Sequence, residues 1–186
     1  MKLRILLCGL LIGLFSVSAS FSQTTKVAPK LPIDSQSKLI NYTKVVEVSG
    51  TKSELFTKGI AWCNTFYKNP ADVIREKSAK EGTILCKGRF KIQNPPNKDG
   101  LATDAGVVQY TLKLFFKDGK YKYEMTEFNW KMQSYYAAEK WMDTASAQYK
   151  PEFDYFLEQL NVNALDILKD LDKGMKVSAA VKKDDW

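Results

Sequence analysis

The chain has 186 residues, 45% of them apolar and 26% charged, enough for one domain with a sizeable core. It contains no histidine, which excludes Ser-His and Cys-His nucleophilic sites, His-ligated metals and imidazole acid–base chemistry. Its net charge of +7 is modest, compatible with acidic partners and equally with plain solubility.

The opening "MKLRILLCGLLIGLFSVSASFSQ" places Lys2 and Arg4 before an apolar run, Ile5 to Phe15, and small residues after it. This is the pattern of a secretory signal peptide, with cleavage expected after Ser22 or, alternatively, Ser20. The run is too short to span a bilayer, which takes about 20 residues. Cys8 follows bulky Leu7, so it is a poor lipidation site. Without residues 1–22, Lys+Arg falls from 28 to 26 against 21 acidic residues, leaving +5. The expected location is the periplasm or the extracellular space, with no membrane span in the mature protein.

Residues 23–37 are polar, carry Pro29 and Pro32, and read as an extended lead-in. From Leu39 to Val48 the residues Ile40, Tyr42, Val46 and Val48 alternate as in a strand, interrupted by Lys44. Gly50 ends it. Thr51 with Glu54 forms a capping box, and Leu55, Gly59, Trp62, Cys63 and Phe66 recur at helical spacing up to Asn69-Pro70.

A short strand is expected near Val73–Lys77 and a stronger one over Thr83–Gln93. In the latter Ile84, Cys86, Gly88, Phe90 and Ile92 point one way and Leu85, Lys87, Arg89 and Lys91 the other. Asn94 to Gly106 reads as a loop. Val108 to Phe116 alternates again, and Asp118-Gly119 supplies a strong two-residue hairpin signal. The implied register sets Phe116 opposite Tyr121, Leu114 opposite Tyr123, Leu112 opposite Met125, and Lys113 opposite Glu124.

Beyond Phe128, a segment rich in aromatics suggests a helix over about Ser134–Ala145, with Glu139 and Asp143 as surface carboxylates. Pro151 suits a first helical position, and Phe153, Leu157, Leu160, Ala164, Leu168 and Leu171 then line one face up to a stop at Gly174. Asn161-Val162-Asn163 is weak helix material that is expected to split it in two. Residues 176–186 read as a tail.

This order, β-α-β-β-β-β-α, predicts an α+β domain: a single antiparallel sheet of about five strands with helices on one face. The domain is expected over residues 38–175. The other face would carry Lys87, Arg89, Lys91, Lys113 and Lys122, with Lys117 and Lys120 at the hairpin. Such a face can bind a polyanion or glycan, but an antiparallel sheet with one wet face also needs polar residues there for solubility alone. Phe115 is the one aromatic among them and offers little for base stacking, so nucleic acid is not the expected partner. Trp130, Tyr135, Tyr136 and Trp141 are candidate ligand-binding residues, forming an aromatic lid over a small apolar ligand, or else core filling. Cys63 and Cys86 both lie on predicted inward faces, one on the helix and one on the strand it should cover, either as a disulfide or as two buried thiols. No metal-spaced cluster, phosphate loop or nucleophile elbow occurs, and neither catalytic residues, metal nor cofactor are expected.

Four stretches resemble a known family: "LPID" at 31–34, "INYTKVVEVSGTKSELFTKGIAW" at 40–62, "CKGRFKI" at 86–92 and "YTLKLFFKDGKYKYEMTEF" at 110–128. They are similar to the secreted, Bacteroidetes-type domain of unknown function 4468. The resemblance implies a TBP-like fold, a sheet with helices on one side, and supplies no catalytic or binding residues. It covers about residues 31–128; the region 129–175 lies outside it. Together these readings predict an exported, non-enzymatic domain for binding or envelope-associated interaction. The alternatives are polyanion or glycan binding on the basic sheet face and a small-ligand carrier with an aromatic lid.

Overall fold

The computed structural model describes residues 29–131 and 134–176. The expected signal peptide, the start of the lead-in and the tail from Val177 lie outside the described residues. Strand β1 (Tyr42–Glu47) leads into helix α1 (Lys52–Phe66), a single helical turn α2 (Pro70–Val73) and strand β2 (Ile74–Ser78). Three long strands follow, β3 (Thr83–Gln93), β4 (Asp104–Lys117) and β5 (Lys120–Lys131). A short β6 (Tyr135–Ala137), a 3-10 turn (Ala138–Met142) and the long helix α3 (Glu152–Lys176) complete the chain.

All strands form one antiparallel sheet in the order β1-β5-β4-β3-β2. Strands β1 and β6 share the same edge of β5: β1 pairs with its first half and β6 with Asn129–Lys131. The β4–β5 register is as predicted, with Phe116 opposite Tyr121, Leu114 opposite Tyr123 and Lys113 opposite Glu124. Asp118 does more than turn the hairpin, because its carboxylate accepts the Lys52 N–H at 2.7 Å and so ties the turn to the start of α1.

Both long helices cover the face that carries Ile84, Cys86, Leu112, Leu114, Phe116, Tyr121 and Met125, all buried. Helix α1 begins in the predicted capping box: Glu54 Oε2 accepts the Thr51 N–H at 2.7 Å, and Thr51 Oγ1 accepts the Glu54 N–H at 3.3 Å. Its seat on the sheet is a ladder. Successive turns bring Gly59 against Ile84 and Phe116, Cys63 against Cys86, and Tyr67 against Tyr110. The match arises because four helical residues rise about 6.0 Å and two strand residues about 6.6–6.8 Å.

Several local expectations are overturned by packing. Residues 135–142 form β6 and a 3-10 turn rather than a helix, since the Asn129–Lys131 edge of β5 is open to pair with Tyr135–Ala137. Helix α3 runs unbroken through Asn161-Val162-Asn163: Asn161 Oδ1 accepts the Tyr42 hydroxyl at 2.8 Å, and Asn163 Nδ2 donates to the Gln159 carbonyl. The helix also passes Gly174, which is no stop. A side chain there would meet Trp62 at 2.7 Å, so glycine admits the close crossing of α1 and α3. Glu139 is not a surface carboxylate paired along a helix; its Oε1 accepts the Ile40 N–H at 2.9 Å ahead of β1. Strand β4 starts at Asp104, shortening the expected loop, and Pro70–Val73 forms a turn of helix before β2.

Candidate functional site

The face of the sheet opposite the helices follows from the pleat. Row by row across the strands it presents Thr83, Phe115, Lys122 and Val45; then Leu85, Lys113, Glu124 and Thr43; then Lys87 and Thr111; then Arg89, Gln109 and Asn129. Lys87, Arg89 and Lys91 are exposed along β3, repeating about every 6.8 Å as alternate strand residues do. The predicted basic residues therefore share one surface, but they are not equivalent. Lys91 is paired with Asp104 at 3.3 Å. Lys122 is paired with Glu124 and lies 5.8 Å from the centre of the Phe115 ring. At the hairpin end Val45, Phe115, Lys117, Lys120 and Lys122 border an open depression of about 410 Å³.

A feature of this face is invisible in the alternation. Between Thr126 and Asn129 strand β5 holds one residue more than β4, and the bulge is taken up at Glu127, whose φ is +54°. A non-glycine residue seldom adopts that backbone, and here its carboxylate accepts a 2.6 Å hydrogen bond from the buried Thr111 hydroxyl. The bulge also shifts the strand so that Phe128 still points into the core. No signal in the sequence marks it.

The four aromatics proposed for ligand binding are divided. Trp130, Tyr136 and Trp141 turn inward. Trp141 is fully buried, and its ring centre lies 5.7 Å from that of Trp130, 6.0 Å from Phe153 and 5.5 Å from Phe156. These rings fill the space between β5, β6 and α3 with one another. The Trp130 Nε1–H donates to the Ala105 carbonyl at 2.8 Å, which also fixes the start of β4. Tyr135 instead lies on the uncovered face, 60% exposed, with its hydroxyl 3.5 Å from Gln109 Oε1. By the register of β3 to β6 it belongs to the row of Lys91, Val107 and Lys131, next to the row of Arg89, Gln109 and Asn129.

Under α1 lies a small buried polar group. The Cys63 and Cys86 sulfurs are 3.7 Å apart as free, buried thiols, and the Tyr67 and Tyr110 hydroxyls are 3.2 Å apart next to them. The hydrogen bond with Cys86, followed by burial, pushes the Cys63 thiol far up from its ordinary value. Burial likewise pushes both tyrosine hydroxyls up. Cys63 and the two tyrosines are thereby held in their protonated, neutral forms, the opposite of what a thiolate nucleophile needs. Tyr42 and Tyr121 are also raised by burial, with Tyr121 donating to Asp172 on α3. Among the described residues no group of three or more Cys, Asp or Glu is placed to hold a metal ion, and no helix is long and apolar enough to cross a membrane.

Residues 42–131, which include β1 to β5 and α1, match the family described as "Domain of unknown function (DUF4468) with TBP-like fold". The chain carries a DUF4468 domain. A DUF4468 family protein from Bacteroides ovatus shares the fold at a TM-score of 0.60 and 16% identity, over 76% of this chain and 89% of that one. A TBP-like protein from Parabacteroides distasonis aligns at a TM-score of 0.46 and 18% identity, over 70% of this chain and 93% of that one. No curated protein matches the sequence. The DUF4468 domain holds the uncovered face almost entire: Lys87, Arg89, Gln109, Lys113, Lys122 and Asn129 are all within it. Tyr135 and α3 lie beyond the matched residues, so one exposed aromatic is added to the face of the domain by the segment that follows it.

Proposed function

We propose that this chain is an exported, non-enzymatic binding module that holds an anionic polysaccharide of the cell envelope on the uncovered face of its sheet. The observation that carries the reading is the grouping of exposed Lys87 and Arg89 with the amides of Gln109 and Asn129 and the exposed ring of Tyr135. Cations attract sulfate or carboxylate, amides take hydroxyls, and an exposed aromatic ring covers a sugar's apolar face. Export is supported by the pattern of residues 1–22. The absence of histidine and the neutral, buried state of Cys63 argue against catalysis.

The test is a titration of the mature protein with a sulfated polysaccharide and with neutral dextran, each at low and high salt. The sulfated polymer is expected to bind, with affinity falling steeply as salt rises. A Lys87→Glu, Arg89→Glu double variant should bind at least about tenfold more weakly while keeping its circular dichroism spectrum, the size expected for reversing two contacting charges. Equal binding of dextran, or indifference to salt, would refute the reading. Export is checked separately by N-terminal sequencing of the protein from its native host, where a start at Gln23 is expected and a start at Met1 is not.

A further inference from the structure

Helix α1 meets the sheet at three successive turns, and the middle one is a pair of sulfurs. Gly59 above it lies against Ile84 and Phe116, and Tyr67 below it is bonded to Tyr110. These flanking contacts set the register of the helix on the sheet, and in that register Cys63 and Cys86 stand at 3.7 Å, sulfur against sulfur. Both residues are 0% exposed. Closing to a bond of about 2.05 Å takes a sulfur movement of under about 2 Å, the scale of a side-chain rotation. They are also the two cysteines outside the leader-like segment.

We propose that Cys63 and Cys86 are joined by a disulfide that bolts α1 to the centre of the sheet, and that the bond is made before α1 seats. The oxidant is a small or protein disulfide, R–S–S–R. One cysteine thiolate attacks an oxidant sulfur, the oxidant's S–S bond breaks, and R–S⁻ leaves with the electron pair and takes up a proton. The second cysteine thiolate then attacks the mixed disulfide at the protein sulfur and expels the second R–S⁻, which is also protonated. The two cysteines lose two protons and two electrons, and the oxidant gains both as two R–SH. In the seated helix neither sulfur is open to R–S–S–R, and burial and the hydrogen bond keep Cys63 a thiol. Once α1 is down, exchange stops in both directions.

The inference rests on the export reading only for the source of oxidant, so it is tested in vitro without reference to location. Mature protein is unfolded, reduced, and refolded with mixed reduced and oxidised glutathione, then unfolded and treated with an alkylating reagent. The expected product carries no alkyl group, weighs about 2 Da less than the dithiol, and yields a peptide linking Cys63 to Cys86. A loop of the length between these residues gains roughly 300-fold in folding equilibrium constant, read as a melting temperature higher by on the order of 10 °C than in reductant. That difference should vanish in Cys63→Ala and in Cys86→Ala, each compared with and without reductant. Protein refolded in reductant and only then given oxidised glutathione should stay a dithiol far longer than the same chain kept in denaturant. Two alkyl groups after oxidative refolding, or a disulfide between two molecules, overturns the bond. Equally fast oxidation of the seated and unfolded dithiols overturns the order of events.

Discussion

Gly88 stands directly across from Tyr110 in the β3–β4 ladder, and the tyrosine ring lies over it. A Cβ at residue 88 would fall 2.3 Å from both Cζ and the hydroxyl oxygen of Tyr110. The ring has no easy retreat. It is 1% exposed, stacks on Phe90 with centres 6.0 Å apart, and is bonded through its hydroxyl to Tyr67. Gly88→Ala therefore forces overpacking, worth about 1–3 kcal/mol. It also displaces a buried hydrogen bond, worth about 1–3 kcal/mol if the partner is left unpaired. Against this, alanine loses less backbone entropy than glycine on folding, a gain of about 0.5–1 kcal/mol. The net expectation is a loss of about 2–4 kcal/mol, seen in urea unfolding as a midpoint lower by about 1–2 M with an unchanged slope. In a Tyr110→Ala background the same substitution should cost nothing further, giving a coupling equal to the whole cost, about 2–4 kcal/mol. A Gly88→Ala protein within about 0.5 kcal/mol of the parent, or a cycle without coupling, would show that the ring does not need the bare backbone.

The same logic extends to three other places. Gly174→Ala should lower stability by about 1 kcal/mol although alanine is the better helix former by a similar amount, because its Cβ would meet the buried Trp62 ring at 2.7 Å; a stabilised variant in a thermal melt would contradict the close crossing of α1 and α3. Thr51→Ala removes a bond of the capping box and should cost about 1 kcal/mol in chemical unfolding, while Thr51→Ser should cost much less. Burial raises Tyr42, Tyr67, Tyr110 and Tyr121 above their ordinary value of 10.0. A raised folded value means that the stability from keeping these hydroxyls neutral is complete below pH 10 and is lost as pH rises beyond it. Tyrosinate absorbance of these groups should accordingly appear together with loss of ellipticity above pH 10; full ionisation in a still-folded protein would refute their burial.

The pattern of residues 40–128 was sufficient for most of the domain. Alternation along β3, β4 and β5, the Asp118-Gly119 turn and the Thr51–Glu54 box are local signals, each set by neighbours within a few residues, and they place the uncovered face and its cations correctly. Residues 129–176 were read less well because their conformation is decided from far away. Tyr135–Ala137 is a strand since an edge of β5 is free to receive it, and Asn161 is tolerated in α3 since Tyr42 donates to it. Gly174 continues a helix because Trp62 crosses there, and Glu127 adopts φ of +54° because the ladder to β4 holds one residue too many. Tyr135 leaves the other aromatics for the basic face for the same reason: its side is fixed by the strand it pairs with, and pairing is not a property of its own segment. What the chain determined alone was the period of each element and which side of it is apolar. Which edges meet and which glycines are crossed were settled only when α1 and α3 closed over the sheet, since contacts at long sequence separation depend on every element between them.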